Sequence, residues 1–247
     1  MPIIKTINLS KEFKRFAFSG IKKVAALDAL NLSIDRGEIF AFLGPNGAGK
    51  TTTLSMLAGF VVPSNGRIEL FGKNFSHRDI DVKNRIGYLP ESPHLPDYYR
   101  VCELLEFYCD IFFIPRNKRK DTIGKLLEEV GLHKQEHEWI KSLSMGQKRC
   151  LGLAVALIND PEIIFLDEPT VYLDPVVLEK IRKVLLKLKE RGSTIFMSSH
   201  ILSEVERISD RFAIIKEGRL LEEGTTVELI KHRSLEEEFL KMMKDNE

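Results

Sequence analysis

The octapeptide Gly44-Pro45-Asn46-Gly47-Ala48-Gly49-Lys50-Thr51 constrains the fold of this chain more than any other segment. It follows a short apolar run, Glu38 to Leu43, and precedes a helical pattern from Lys50 to Ala58. The local order is therefore strand, glycine loop, helix. In that setting G-x-x-x-x-G-K-[ST] is a phosphate loop. Its glycines let successive backbone N–H groups turn inward around a polyphosphate, and the following helix aims its positive dipole at the same point. Lys50 adds a point charge for the β and γ phosphates, and Thr51 offers a hydroxyl where Mg²⁺ would sit. The competing reading is a purely structural glycine turn.

Later in the chain Ile163-Ile164-Phe165-Leu166, Thr194 to Met197 and Phe212 to Ile215 are uninterrupted apolar runs, the kind of strand that must be covered on both faces. Helical patterns from Val176 to Arg191 and from Ile201 to Ile208 separate them, so strand and helix alternate as a parallel sheet requires. The fold class is α/β. Residues 101–158 differ: three helical patterns (Val101 to Ile114, Arg119 to Val130, Ser144 to Ile158) and no clear strand suggest an all-α insert. The first 36 residues alternate apolar and polar, which predicts antiparallel strands packed on the core.

Asp167 and Glu168 follow the second apolar run, at the strand edge where open α/β sheets bind ligands. One carboxylate is suited to Mg²⁺, and its neighbour to orienting and deprotonating an attacking water. Strand alternation predicts that the two point to opposite sides and hold separate roles. A solvated acidic turn before Pro169 is the alternative.

Composition limits the remaining choices. At 247 residues the chain holds about 1.6 typical domains. Lys plus Arg total 37 against 36 for Asp plus Glu, a balance that argues against a dedicated nucleic-acid binder. The three cysteines, Cys102, Cys109 and Cys150, lack metal-ligand spacing and suggest a reducing compartment. No signal-like segment or membrane-spanning apolar stretch is expected.

These motifs and their order resemble the ATP-binding subunit of an ABC transporter over essentially the whole length. The resemblance implies a P-loop NTPase (RecA-like) core with a mostly parallel sheet, an N-terminal antiparallel β-subdomain and an α-helical subdomain insert. It implies a single ABC ATPase domain over 1–247, with 1–90 and 159–247 as core, 91–158 as helical subdomain and 225–247 as C-terminal helices. Leu143-Ser144-Met145-Gly146-Gln147 is similar to the family signature, with Met145 in place of its first glycine. Ser144 and Gln147 also form a Ser-x-x-Gln capping box, so the segment starts a helix whether or not it binds phosphate. In the family, Ser144, Gly146 and Gln147 would meet the γ-phosphate of ATP held by the opposite subunit.

By the same resemblance, ATP is bound by Gly44, Pro45, Asn46, Gly47, Ala48, Gly49, Lys50, Thr51 and Thr52. Phe13 stacks on adenine, with Phe16 and Phe18 as nearby rivals. Mg²⁺ is held by Thr51, Asp167 and Glu91, the last standing where the family has glutamine. Glu168 and His200 are catalytic, although a lone histidine is more often structural. Val171-Tyr172 replaces the usual Ser-Gly of the loop ending at Leu173-Asp174. The implied cofactors are ATP and Mg²⁺. The implied partners are a second copy or homologous subunit and an integral membrane permease, with no nucleic acid. The protein would be cytoplasmic and peripheral on the inner face of the cell membrane. Tyr98, Tyr99 and neighbouring aromatics would form the groove for a permease helix, or else pack the insert's own core. The phosphate-loop run and the ending Ser234 to Leu240 look most like exporter-type ATPases. A soluble ABC-type ATPase of DNA repair or translation fits less well, because those relatives carry long coiled coils or two ATPase units. A nucleotide-gated scaffold without hydrolysis is disfavoured by Glu168 and His200.

Overall fold

The computed structural model describes residues 1–17, 20–171, 173–230 and 234–244. The chain opens with β1 (Ile4–Ala17), β2 (Gly20–Ile34) and β3 (Ile39–Leu43), then α1 (Lys50–Leu57). Next come β4 (Asn65–Leu70), β5 (Lys73–Asn74), α2 (Ile80–Lys83) and β6 (Ile86–Leu89). Three helices follow before the next strand: α3 (Val101–Ile111), α4 (Arg116–Glu129) and α5 (Met145–Leu157). The second half contains β7 (Ile163–Leu166), α6 (Pro175–Glu190), β8 (Thr194–Ser199) and α7 (Leu202–Ile208). It closes with β9 (Arg211–Lys216), β10 (Arg219–Thr225), α8 (Thr226–Ile230) and α9 (Leu235–Lys244).

Two sheets result, an antiparallel one in the order β2-β1-β4-β5 and a larger one in the order β10-β9-β3-β8-β7-β6. In the larger sheet β9, β3, β8, β7 and β6 are parallel and β10 runs antiparallel at the edge. The pleat sorts its buried residues into two cores. Ile39, Ala41, Leu43, Ile164, Leu166, Ile195 and Met197 face the core shared with α3 to α6. Phe40, Phe42, Ile163, Phe165 and Phe196 face the core shared with the antiparallel sheet and α1. On that second face Phe196 meets Phe40 and Phe42 at ring distances of 5.5 Å and Phe165 at 6.1 Å, spacings that favour tilted aromatic pairs. Each apolar strand residue is thus covered whichever way it points, which is why these runs do not alternate with polar residues.

The helices begin and end within a few residues of the sequence expectation. α6 starts where Asp174 accepts hydrogen bonds from the N–H groups of Val176 and Val177 (2.9 and 3.0 Å), with Pro175 at the first helical position. Among the described residues no helix is long and apolar enough to cross a membrane.

Candidate active site

β3, β8 and β7 are neighbours in the sheet, and their carboxyl ends deliver Gly44 to Thr51, His200 and Asp167-Glu168 to one edge. A pocket of about 390 Å³ opens there. Its lining includes Pro45, Asn46, Gly47, Gly49, Lys50, Thr51 and Thr52 from the loop, with Glu91, Glu168, Val171 and His200 around them. Gly49 has φ of +108°, and a Cβ on it would collide with the Ala26 carbonyl oxygen. Only glycine lets the chain turn into α1 against β2 at this point.

Lys50 is 6% exposed. Its Nζ donates to the carbonyls of Gly44 (2.7 Å) and Pro45 (3.3 Å) and pairs with Glu168 Oε1 at 3.3 Å. The other oxygen of Glu168, Oε2, is 3.0 Å from His200 Nδ1. The loop cation, the acidic strand end and the histidine are therefore one contiguous cluster.

Asp167 and Glu168 do diverge, but not by the strand alternation expected above. β7 ends at Leu166, and Glu168 turns into the left-handed region at φ of +48°. Ser198 on β8 pins both residues: its hydroxyl donates to Asp167 Oδ1 (2.6 Å) and accepts from the Glu168 N–H (2.9 Å). Asp167 Oδ2 is buried without a hydrogen-bond partner. An orphaned carboxylate oxygen costs free energy unless something cationic meets it. Thr51 and Glu91 line the pocket and Asp167 is not part of its lining; hydroxyl and carboxylate oxygens such as theirs are the kind of donor Mg²⁺ takes, together with phosphate oxygens and water.

The remaining expected residues stand elsewhere. Ser144, Gly146 and Gln147 open α5, where the Ser144 hydroxyl accepts from the Gln147 N–H (3.2 Å) and Gln147 Oε1 accepts from the Ser144 N–H (2.8 Å). Ser144 and Gln147 line a separate cleft with Asp174 and Val177, and Met145 beside them is 74% exposed. Phe13, on β1, is 43% exposed with the Lys11 ammonium 5.1 Å from its ring centre, and is not part of the pocket lining. Phe18 and Tyr172 lie outside the described residues, as does the side chain of Phe16. One chain thus holds the phosphate-loop cluster and the Ser144 helix start apart.

The profile of the ABC transporter family matches residues 27–171. The chain belongs to this family. As an ABC cassette it is 43% identical over 230 residues to an uncharacterized ABC transporter ATP-binding protein of Nostoc sp., a match covering 92% of this chain and 68% of that protein. It is 42% identical over 222 residues to the bacitracin transport ATP-binding protein BcrA of Bacillus licheniformis, covering 90% and 69%. The chain thus spans about two thirds of the length of these relatives. Among solved structures, an ATP-binding cassette in a dimeric post-hydrolysis state bound to ADP and Pi superposes with a TM-score of 0.82 at 26% identity, covering 90% of this chain and 98% of that one.

Two residues of the cassette site escape sequence reasoning. One is Ser198, described above. The other is Arg149 on α5, 5% exposed, whose guanidinium donates to the carbonyls of Pro90 (2.7 Å) and Glu91 after β6, and of Asp167 (2.7 Å), Glu168 (2.5 Å) and Pro169 (3.4 Å) after β7. Burial lowers its pKa, while Asp167, Glu91 and Glu168 pull it back up. The sequence carries no local signal for it, because Arg149 follows Gln147 and Lys148 in the polar first part of α5, where an exposed cation is equally at home.

Proposed function

We propose that this cassette hydrolyses MgATP as the engine of an exporter-type ABC transporter, paired head-to-tail with a second copy or homologous subunit beneath a separate permease. The observation that carries the reading is the Lys50–Glu168–His200 cluster at the mouth of the phosphate loop.

When ATP enters, Lys50 exchanges the Gly44 and Pro45 carbonyls for β- and γ-phosphate oxygens, and the loop N–H groups and the start of α1 surround the rest. Phe13 stacks on adenine. Thr51, Asp167 and Glu91 would hold Mg²⁺, which supplies positive charge against the phosphate oxygens. Glu168, freed from Lys50, accepts a proton from the attacking water, and His200 steadies the carboxylate and contacts the γ-phosphate. Ser144, Gly146 and Gln147 of the opposite copy close the site, which explains why one chain keeps them apart from its own loop.

A separate apolar cavity of about 460 Å³ lies between β6, α3 and α5, with Phe60, Tyr88, Pro90, Tyr108, Phe112 and Val155 in its lining. It is the permease groove in this reading. Tyr98 (76% exposed) and Tyr99 border it through the ring series Tyr98–Tyr99–Phe107–Tyr108, with centres 5.1, 6.3 and 5.7 Å apart, rather than lining it. Similarity to the Nod factor export ATP-binding protein I of Ralstonia nicotianae, 36% identical over 206 residues, supports export.

Mixing two dead variants tests the shared site. Lys50→Ala and Ser144→Arg should each abolish turnover alone. A mixture recovers about a quarter of wild-type activity, because half the pairs are mixed and each mixed pair has one intact site. A mixture as inactive as its components refutes the head-to-tail arrangement.

A further inference from the structure

We propose that the tip joining α3 to α4 is a membrane-contact surface, with the ring of Phe113 seated in the lipid interface and Arg116, Lys118 and Lys120 against anionic headgroups. It rests on the permease reading, which puts the bilayer beside the apolar cavity. Phe112 lines that cavity, and Phe113 follows it at the rim.

Two local rules are broken together at this tip. α3 ends in a turn in which the Ile114 N–H donates to the Cys109 carbonyl (2.9 Å) and the Phe113 N–H to that of Asp110 (3.1 Å). Phe113 occupies the left-handed position of the turn, at φ of +54°, where glycine is favoured because a Cβ is strained. The ring obtains no packing in return: Phe113 is 89% exposed. After Ile114 and Pro115, α4 begins Arg116-Asn117-Lys118-Arg119-Lys120 with no acidic residue in its first turn, and positive charge is the sign that the helix dipole disfavours there.

The acids in this stretch are already engaged. Asp110 pairs with Arg119 at 2.6 Å and Asp121 with Lys125 at 2.7 Å. Arg116, Lys118 and Lys120 are exposed, and none of the ion pairs among the described residues involves them. Cations alone would suit a solvated helix start. A strained, bare aromatic ring beside them suits a surface that is anionic at its face and apolar just beneath.

Flotation of the purified chain with vesicles of phosphatidylcholine, with and without one third phosphatidylglycerol, tests this. The chain should float with the anionic vesicles at low salt, lose binding at high salt, and not float with phosphatidylcholine alone. Each cation reversed should weaken binding about fivefold, so Lys118→Glu/Lys120→Glu should weaken it by more than tenfold. That variant also puts acids where the helix dipole favours them, so it should fold. Phe113→Gly should weaken binding severalfold while leaving the melting temperature unchanged or raised, since it relieves the left-handed strain. Basal ATPase should be unchanged in both variants. Absence of flotation, indifference to phosphatidylglycerol, or variants that float like the wild type would each overturn the proposal. A wild-type chain that copurifies with a permease yet fails to float overturns this inference alone, whereas flotation without permease capture counts against the groove.

Discussion

Arg149→Met removes all five donors while keeping a side chain of similar length. The guanidinium bonds to both the Pro90–Glu91 and the Asp167–Pro169 segments. Hydrogen bonds from a charged donor contribute about 1.5–3 kcal/mol each when measured singly, so five of them set a gross loss near 10 kcal/mol. Relief from burying the charge, which already lowers the Arg149 pKa, and access of water to some of the carbonyls offset more than half of that. A net destabilisation of about 3–5 kcal/mol remains, or a fall in melting temperature of about 6–20 °C for a chain of this size. Arg149→Lys keeps the charge but reaches at most three carbonyls, and should lose about half as much. Because the tie holds the Glu91 and Glu168 backbones and not the phosphate loop, kcat should fall by at least tenfold in the surviving folded protein, with KM for ATP changed less than threefold. Thermal melts followed by steady-state phosphate release measure both effects. A Met variant within about 1 kcal/mol of wild type, or one that raises KM while preserving kcat, would refute the role assigned to Arg149.

Three further outcomes follow from the site and its surroundings. Ser198→Ala strips the buried hydroxyl from Asp167 Oδ1 and from the Glu168 N–H, and should cost about 1.5–3 kcal/mol of stability by chemical denaturation together with a lower kcat. Glu91→Gln removes one charge from the set proposed for Mg²⁺ and should shift the Mg²⁺ midpoint of ATPase activity upward about three- to fivefold; an unchanged midpoint places Glu91 outside the metal's reach. Glu162 accepts from Arg85 (2.6 Å) and Arg36 (2.7 Å), and these bonds, Arg85 foremost, hold its carboxyl below the ordinary value of 4.5. Its stabilisation is present at neutral pH and is lost as pH falls through that lowered value, so Glu162→Gln should melt below wild type at pH 7 and converge with it in acid.

The phosphate loop, the apolar strands and the helical insert were legible because each is a local pattern: a fixed spacing, a run, or a periodicity. What stayed hidden depends on pairing between distant segments. Leu166 pairs with Met197 across β7 and β8, so the next residues, Asp167 and Ser198, meet; nothing near Ser198 in the chain announces this. The left-handed turn at Glu168 is similarly set by its neighbours, since strand alternation alone predicts a different route to the same divergence. β10 carries no distinctive run because an antiparallel edge strand is only half covered. Ser144 and Gln147 spell a capping box in the sequence, yet in a single chain they line a different cleft from the loop that they would complete in the proposed dimer.

Glu168→Gln keeps the shape of the acidic side chain and removes its ability to accept a proton. With ATP and Mg²⁺ the variant should run as a stable dimer by light scattering, retain one ATP per subunit, and release phosphate at least a thousandfold more slowly than wild type. Phosphate release at the wild-type rate, or a chain that stays monomeric with ATP bound, would contradict hydrolysis by Glu168 in a site closed by a second subunit.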